Sequence, residues 1–321
     1  MDAVKTLMSR SLDYAGIFPP AQLPLNNAID EFAACRQHLH SWFLARFVLP
    51  TSKVGEFAQL ARSQLAESQA THQPWNLAGL FRSSASVSET FEILRSDCVL
   101  LRGLLDSHPG ALTVDSCELP LPEEVLNTHD QELARSFFQE AFRIFSEQHF
   151  QIPVFFEVNL NKSFEHVVLA ARQFNLVEPG RCCLKFRTGG STPAAIVSPE
   201  TLARAFRAVQ NHRVPFKLTA GLHVATRHFD SAVGCELFGF LNVFTAAVIG
   251  WTHQLSETEL KLLLEERSAE AIQFKLDGLS WKNYSVSISE IRQVRAAGLR
   301  SFGSCSFFEP IDELIQLKLI P

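Results

Sequence analysis

The chain has 321 residues, 46% of them hydrophobic, with 27 phenylalanines and a formal net charge of -5, enough for a sizeable core in one large domain or two ordinary ones. A mildly acidic balance without Lys/Arg runs carries no electrostatic footprint for nucleic acid or an anionic membrane, which leaves small molecules as the expected partners. The seven cysteines are odd in number and form no C-x-x-C pair, so zinc spacing is absent and a disulfide framework is not expected.

Residues 1–20 hold Lys5, Arg10 and Asp13 and no apolar signal segment. The longest apolar run, 237–251, is interrupted by Asn242 and falls short of the roughly 20 residues a membrane span needs. A cytoplasmic protein is expected, as a monomer or a homo-oligomer.

In chain order, short apolar runs lie at 12–18, 42–49, 75–81, 111–115, 152–158, 182–187, 214–220 and 300–307. Amphipathic stretches with helix-start signals alternate with them, at 86–95, 131–145, 164–174, 198–209 and 309–317. In one of these Ser198 can cap, Pro199 suits the first turn and Glu200 complements the helix dipole. Eight strand–helix units in this length predict a (β/α)8 TIM barrel, one domain over 1–321, rather than an open doubly wound sheet. The absence of G-x-G-x-x-G after the first strand points the same way. Residues 234–285 fall outside the repeat and are expected as a helical and β-hairpin insertion between strands 7 and 8, with Asp277-Gly278 as the hairpin turn.

A charge in the middle of a barrel strand is costly against the outer helices and tolerable inside near the open end. That parity turns Arg46, Asp115, Glu157, Lys185, Arg187 and Lys217 inward, with Arg82, Asn159, Thr188, Thr219 and His223 around the strand exits. Each also reads as a structural ion-pair member, Asp115 with Arg46 in particular. Their convergence on one barrel mouth favours a small-molecule site.

Lys185 and Lys217, on consecutive strands, are the sharpest feature. An amine whose pKa is lowered by burial beside other cations becomes nucleophilic. One lysine would then form an imine with a carbonyl substrate while Asp115 or Glu157 moves protons. Two cations clamping an anion is the competing reading.

The segments Lys185-Phe186-Arg187-Thr188-Gly189, Lys217 to Gly221, and Gly303-Ser304-Cys305-Ser306 resemble the last three strands of deoxyribose-phosphate aldolase. The resemblance covers residues 181–223 and 300–307. It implies a class I Schiff-base aldolase barrel in which Lys185 carries the imine, Lys217 is the second lysine, and the Gly303 turn binds phosphate. Arg187 stands where that family has a small residue, and Ala220-Gly221-Leu222 replaces its double glycine. These departures bear on the substrate rather than on the lysine chemistry.

The reading is therefore a lyase or aldolase-like enzyme acting on a small anionic carbonyl compound, without cofactor or metal. Lys185, Lys217, Asp115 and Glu157 would carry catalysis. Arg46, Arg82, Arg187, Thr188, Gly189, Gly190, Thr219, His223, Gly303 and Ser304 would bind substrate. The alternative is a non-catalytic barrel that binds an anionic metabolite as a sensor or assembly partner. Two further readings carry less weight: His223, His228 and Glu236 as metal ligands, and Cys305 as a nucleophile lacking an identifiable base. Asp13 is expected to line the mouth from the first strand.

Overall fold

The structure, a computed structural model, describes residues 3–321. Its strands are β1 (Leu12–Tyr14), β2 (Leu44–Pro50), β3 (Trp75–Leu80), β4 (Leu112–Pro120), β5 (Val154–Val158), β6 (Cys182–Arg187), β7 (Phe216–Thr219), β8 (His228–Asp230), β9 (Cys235–Leu237), β10 (Ile272–Phe274), β11 (Gly278–Trp281), β12 (Tyr284–Ser287) and β13 (Leu299–Ser304). Eight of them close into a barrel, β1-β13-β7-β6-β5-β4-β3-β2, with every pair parallel. The expected (β/α)8 barrel is therefore present, with β13 as its eighth strand.

The pleat explains why charged and aromatic residues alternate in these strands. On β5, Phe156 points out to helix Gln131–Glu147, its ring 4.5 Å from that of Phe138, while Glu157 points in. On β7, Phe216 meets Phe206 of helix Pro199–His212 at 5.1 Å, and Lys217 points in. Each such ring, fully buried, stabilises the ring of helices by about 1.5–3 kcal/mol. The helices start where the caps are: Ser86 accepts from the Glu89 amide, Asp130 from Glu132 and Leu133, and Ser198 from Thr201.

Residues 234–285 are not a single excursion. Helix Phe240–His253 packs on the barrel itself, with Phe240 stacked on Phe302 of β13 at 5.9 Å. Beyond it, β10, β11 and β12 form a three-stranded antiparallel sheet. Asp277-Gly278 is not the turn pair: Gly278 begins β11 and its carbonyl accepts from the Lys275 amide at 2.8 Å, which leaves Leu276-Asp277 at the turn. Gly278 meets a different demand: a Cβ there would lie 2.0 Å from the Val286 carbonyl oxygen.

The fourth strand is longer than the apolar run 111–115, and its register matters for the site. Leu77 pairs with Val114 but Ala78 pairs with Ser116, so Asp115 is an extra, bulged residue. One inserted residue reverses the facing of everything after it. Glu118 and Pro120 consequently point into the barrel, and Cys117 and Leu119 pack outward in the core.

Candidate active site

Inside the barrel the charges form one alternating chain. Arg10 reaches Asp115 at 3.3 Å, and Asp115 in turn accepts from Arg46 Nε. Arg46 Nη1 lies 3.0 Å from Asp13, whose other oxygen accepts from Lys217 and, at 2.6 Å, from Ser301 Oγ. Lys217 Nζ is 2.5 Å from Glu118 Oε1, Lys185 Nζ is 2.6 Å from Glu118 Oε2, and Lys185 also reaches Glu157 at 2.8 Å. The lysines sit on register-paired positions of β6 and β7, as Glu157 and Lys185 do on β5 and β6. Phe155 supplies a ring face 5.5 Å from the Lys217 ammonium.

This packing sets the protonation states. Burial opposes the charge of Lys185, but Glu118 and Glu157 outweigh it and hold the ammonium above its ordinary range. Burial likewise opposes ionised Glu118, yet Lys185 and Lys217 bring its carboxyl down to about 2. Asp13 is also held below its usual value, with Lys217 and Arg46 overriding desolvation. The expectation that neighbouring cations depress Lys185 is therefore corrected, because a carboxylate stands between the two ammonium groups.

The upper end of the chain opens into a cavity of about 280 Å³ at the C-terminal mouth of the barrel. Glu118, Glu157, Lys185 and Lys217 line it, with Arg82, Arg187, Thr219, His223, Gly303 and Ser304 around them. Arg46 and Asp115 do not. They lie toward the opposite end of the barrel, where Asp115 pairs with Arg10 from the segment before β1. Both face inward as expected but lie below the cavity, and the reading of Asp115 with Arg46 as a structural ion pair fits the contacts.

Other expected residues have internal partners. Arg82 grips the fully buried Asp97 through Nε and Nη2. The Thr188 hydroxyl donates to Ala220 O at 2.6 Å, holding the loop after β7, where Ala220 takes a left-handed φ of 68°. Gly189 lets that loop approach, since a Cβ would come within 3.0 Å of Ala220 O and Gly221 Cα. Gly190 is pressed against Ala195 in the same way, at 2.5 Å. Asn159 donates nothing into this cavity; its side chain accepts from the Asn161 amide, and it lines an adjoining cleft shared with Glu157 and Arg187. Arg187 differs from the other cations: its Nε donates to Gly189 O at 3.1 Å, and no carboxylate pairs with it among the described residues.

Glu118 was missed from the sequence, and Asp13, expected at the mouth, is a buried link of the chain instead. Among the described residues no cluster of His, Cys, Asp and Glu has the geometry of a metal site. His228 bonds to Thr226 O, and Glu236 pairs with Arg227 and Arg267. His223 instead meets Glu309 at 2.7 Å through Nδ1 and Cys305 Sγ at 3.9 Å through Nε2.

Fold and site together define a (β/α)8 barrel with a paired-lysine cavity at its C-terminal mouth, the face where such barrels build their active sites. No family model matches the chain, and no curated protein matches it by sequence. A solved structure of a tetrameric deoxyribose phosphate aldolase from Aeropyrum pernix is similar to it, with a TM-score of 0.48 and 9% identity, over 98% of this chain and 93% of that one. Among the described residues no helix is long and apolar enough to cross a membrane.

Proposed function

We propose that the protein is an aldolase-like lyase that binds a small anionic carbonyl compound and activates it as an imine on Lys185. The observation that carries the reading is the juxtaposition of Lys185 and Lys217 on the two oxygens of Glu118, in the floor of a cavity of small-molecule size.

Lys185 is the better nucleophile of the two, because its second partner, Glu157, is 23% exposed and reaches the cavity, whereas the second partner of Lys217, Asp13, is fully buried below it. Proton transfer from Lys185 to Glu157 frees the amine. The nitrogen then attacks the carbonyl carbon while the π pair moves to oxygen, the second amine proton passes to that oxygen, and Glu157 returns its proton to the hydroxyl, which leaves as water; the product is an iminium and an ionised Glu157. The iminium carries the same positive charge at Nζ that Glu118 stabilises in the resting protein, so the carboxylate serves the intermediate without rearranging. Cleavage of the C–C bond one carbon beyond sends its electron pair into the iminium as an enamine, and the proton of the β-hydroxyl passes to Glu157. Arg187, which has no carboxylate partner among the described residues, takes the anionic end of the substrate. Gly303 and Ser304, on the cavity wall, frame that end.

One observation favours the second reading, an anion-binding barrel without catalysis: each buried ammonium already has two carboxylate partners. The two readings part under borohydride. A panel of small aldehydes and keto acids leaves a reduced adduct on the enzyme, read by intact mass, and none on a binding protein.

A further inference from the structure

Two residues lining this cavity, Cys305 and His223, and a third behind them, Glu309, play no part in the lysine chemistry. Cys305 follows β13, His223 follows the adjacent strand β7, and Glu309 opens helix Phe308–Gln316. We infer that Cys305, His223 and Glu309 form a second nucleophilic centre, in which the thiol adds reversibly to a small aldehyde as a hemithioacetal.

The geometry has the form that thiol activation needs: a base beside the nucleophile and a third group that orients the base. Glu309 Oε2 lies 2.7 Å from His223 Nδ1, which turns Nε2 toward Cys305 Sγ at 3.9 Å. Both Cys305 and His223 line the cavity, so an aldehyde bound there meets the sulfur directly. The remaining buried cysteines, Cys35, Cys98, Cys117, Cys182 and Cys183, line none of this wall and are fully enclosed in the core. Burial also disfavours their thiolates, pushing Cys35 and Cys183 up to about 12.

Burial opposes a charge on His223 as well, but its hydrogen bonds with Cys305 and Glu309 prevail and hold the imidazole up at about 9. At neutral pH an imidazolium is therefore present beside the sulfur, placed to return a proton to the addition product. In the addition step the S–C bond forms as the carbonyl π bond breaks, and the proton that left the thiol passes from His223 Nε2 to the new alkoxide. No oxidant, leaving group or hydrolytic water is required, and the step is independent of an imine at Lys185.

The test is alkylation of the native protein by iodoacetamide, followed peptide by peptide by mass spectrometry, with glyoxylate as the aldehyde probe. Cys305 should react about tenfold or more faster than the partly exposed Cys235. His223→Gln should slow Cys305 by about tenfold and Glu309→Gln by a smaller factor, with unchanged far-UV circular dichroism. Glyoxylate should protect Cys305 in the wild type and equally in Lys185→Met, and gel filtration should restore reactivity. Equal alkylation rates in the wild type and both variants would overturn the inference, as would glyoxylate leaving the Cys305 rate unchanged. A lost borohydride adduct with retained protection would sink the imine reading alone.

Discussion

Lys185 and Lys217 stand side by side in the β6–β7 register, and a single carboxylate, Glu118, separates their ammonium groups by accepting from both. Two like charges in a buried barrel floor are tolerable only with such a partner. Removing it should expose the cost directly. Glu118→Gln should lower stability by about 3–5 kcal/mol, because the two buried ammonium groups then face each other without the carboxylate between them, each left with one partner. Glu157→Gln, at the partly exposed end, should cost clearly less. Urea midpoints of the two variants check this, and equal losses would contradict the placement of Glu118.

Stability should also depend on pH in a way set by these shifts. Glu118 is depressed from 4.5 to about 2, so its contribution is present above about pH 4.5 and lost as pH falls toward 2, about 3 kcal/mol in all. Asp13, depressed in the same direction, steepens that acid limb. His223 is raised from 6.5 to about 9, so its contribution is present below about pH 6.5 and declines as pH rises to 9. Lys185, raised from 10.5, holds its contribution below that pH and loses it as pH rises from there to its folded value. Denaturant midpoints from acid to alkaline pH should therefore fall at both ends, with His223→Gln flattening the segment between about 6.5 and 9.

Arg187 should matter for binding and little for folding, since it is exposed and its side chain donates to the Gly189 carbonyl, with no carboxylate partner among the described residues. Arg187→Met should weaken binding of a small carboxylate or phosphate ligand by about tenfold to a hundredfold, the worth of a charge-assisted hydrogen bond. Calorimetric titration of wild type and variant would show it. Unchanged affinity would place the anion elsewhere in the cavity.

Arg46 and Asp115 give the opposite expectation. Asp115→Asn should leave borohydride trapping within about twofold of wild type, because the side chain lies outside the cavity. Arg46→Met should destabilise the protein by about 1–3 kcal/mol, because one oxygen of the buried Asp13 loses its donor while the other keeps Lys217 and Ser301. A large loss of trapping in Asp115→Asn at unchanged stability would return it to the catalytic set.

The eight barrel strands were legible because each is an apolar run in which every second residue is excused from the core, as Lys185 and Arg187 are in the run from Cys182. Lys185, Lys217 and Glu157 followed from the same alternation, and all three line one cavity. Glu118 did not follow, because the bulge at Asp115 shifts the period of two by one residue and nothing in Val114-Asp115-Ser116 announces it. Glu309 was invisible as a partner for His223: the two are 86 positions apart, and only the closure of the barrel brings their elements together. Gly189 and Gly190 show a further gap, since glycine signals that something approaches without saying what, and at the Cβ positions of these two it is another loop and a neighbouring side chain.

The most direct measurement is the position of the borohydride adduct. After incubation with small carbonyl compounds and reduction, peptide mapping should place the added mass on Lys185, and Lys185→Met should abolish it while circular dichroism stays unchanged. Lys217→Met should slow trapping without moving it, because Glu118 then acts on Lys185 alone and holds its proton more firmly, and higher pH should partly restore the rate. An adduct on Lys217 in the wild type, or no adduct on either lysine across the panel, would contradict imine chemistry at Lys185.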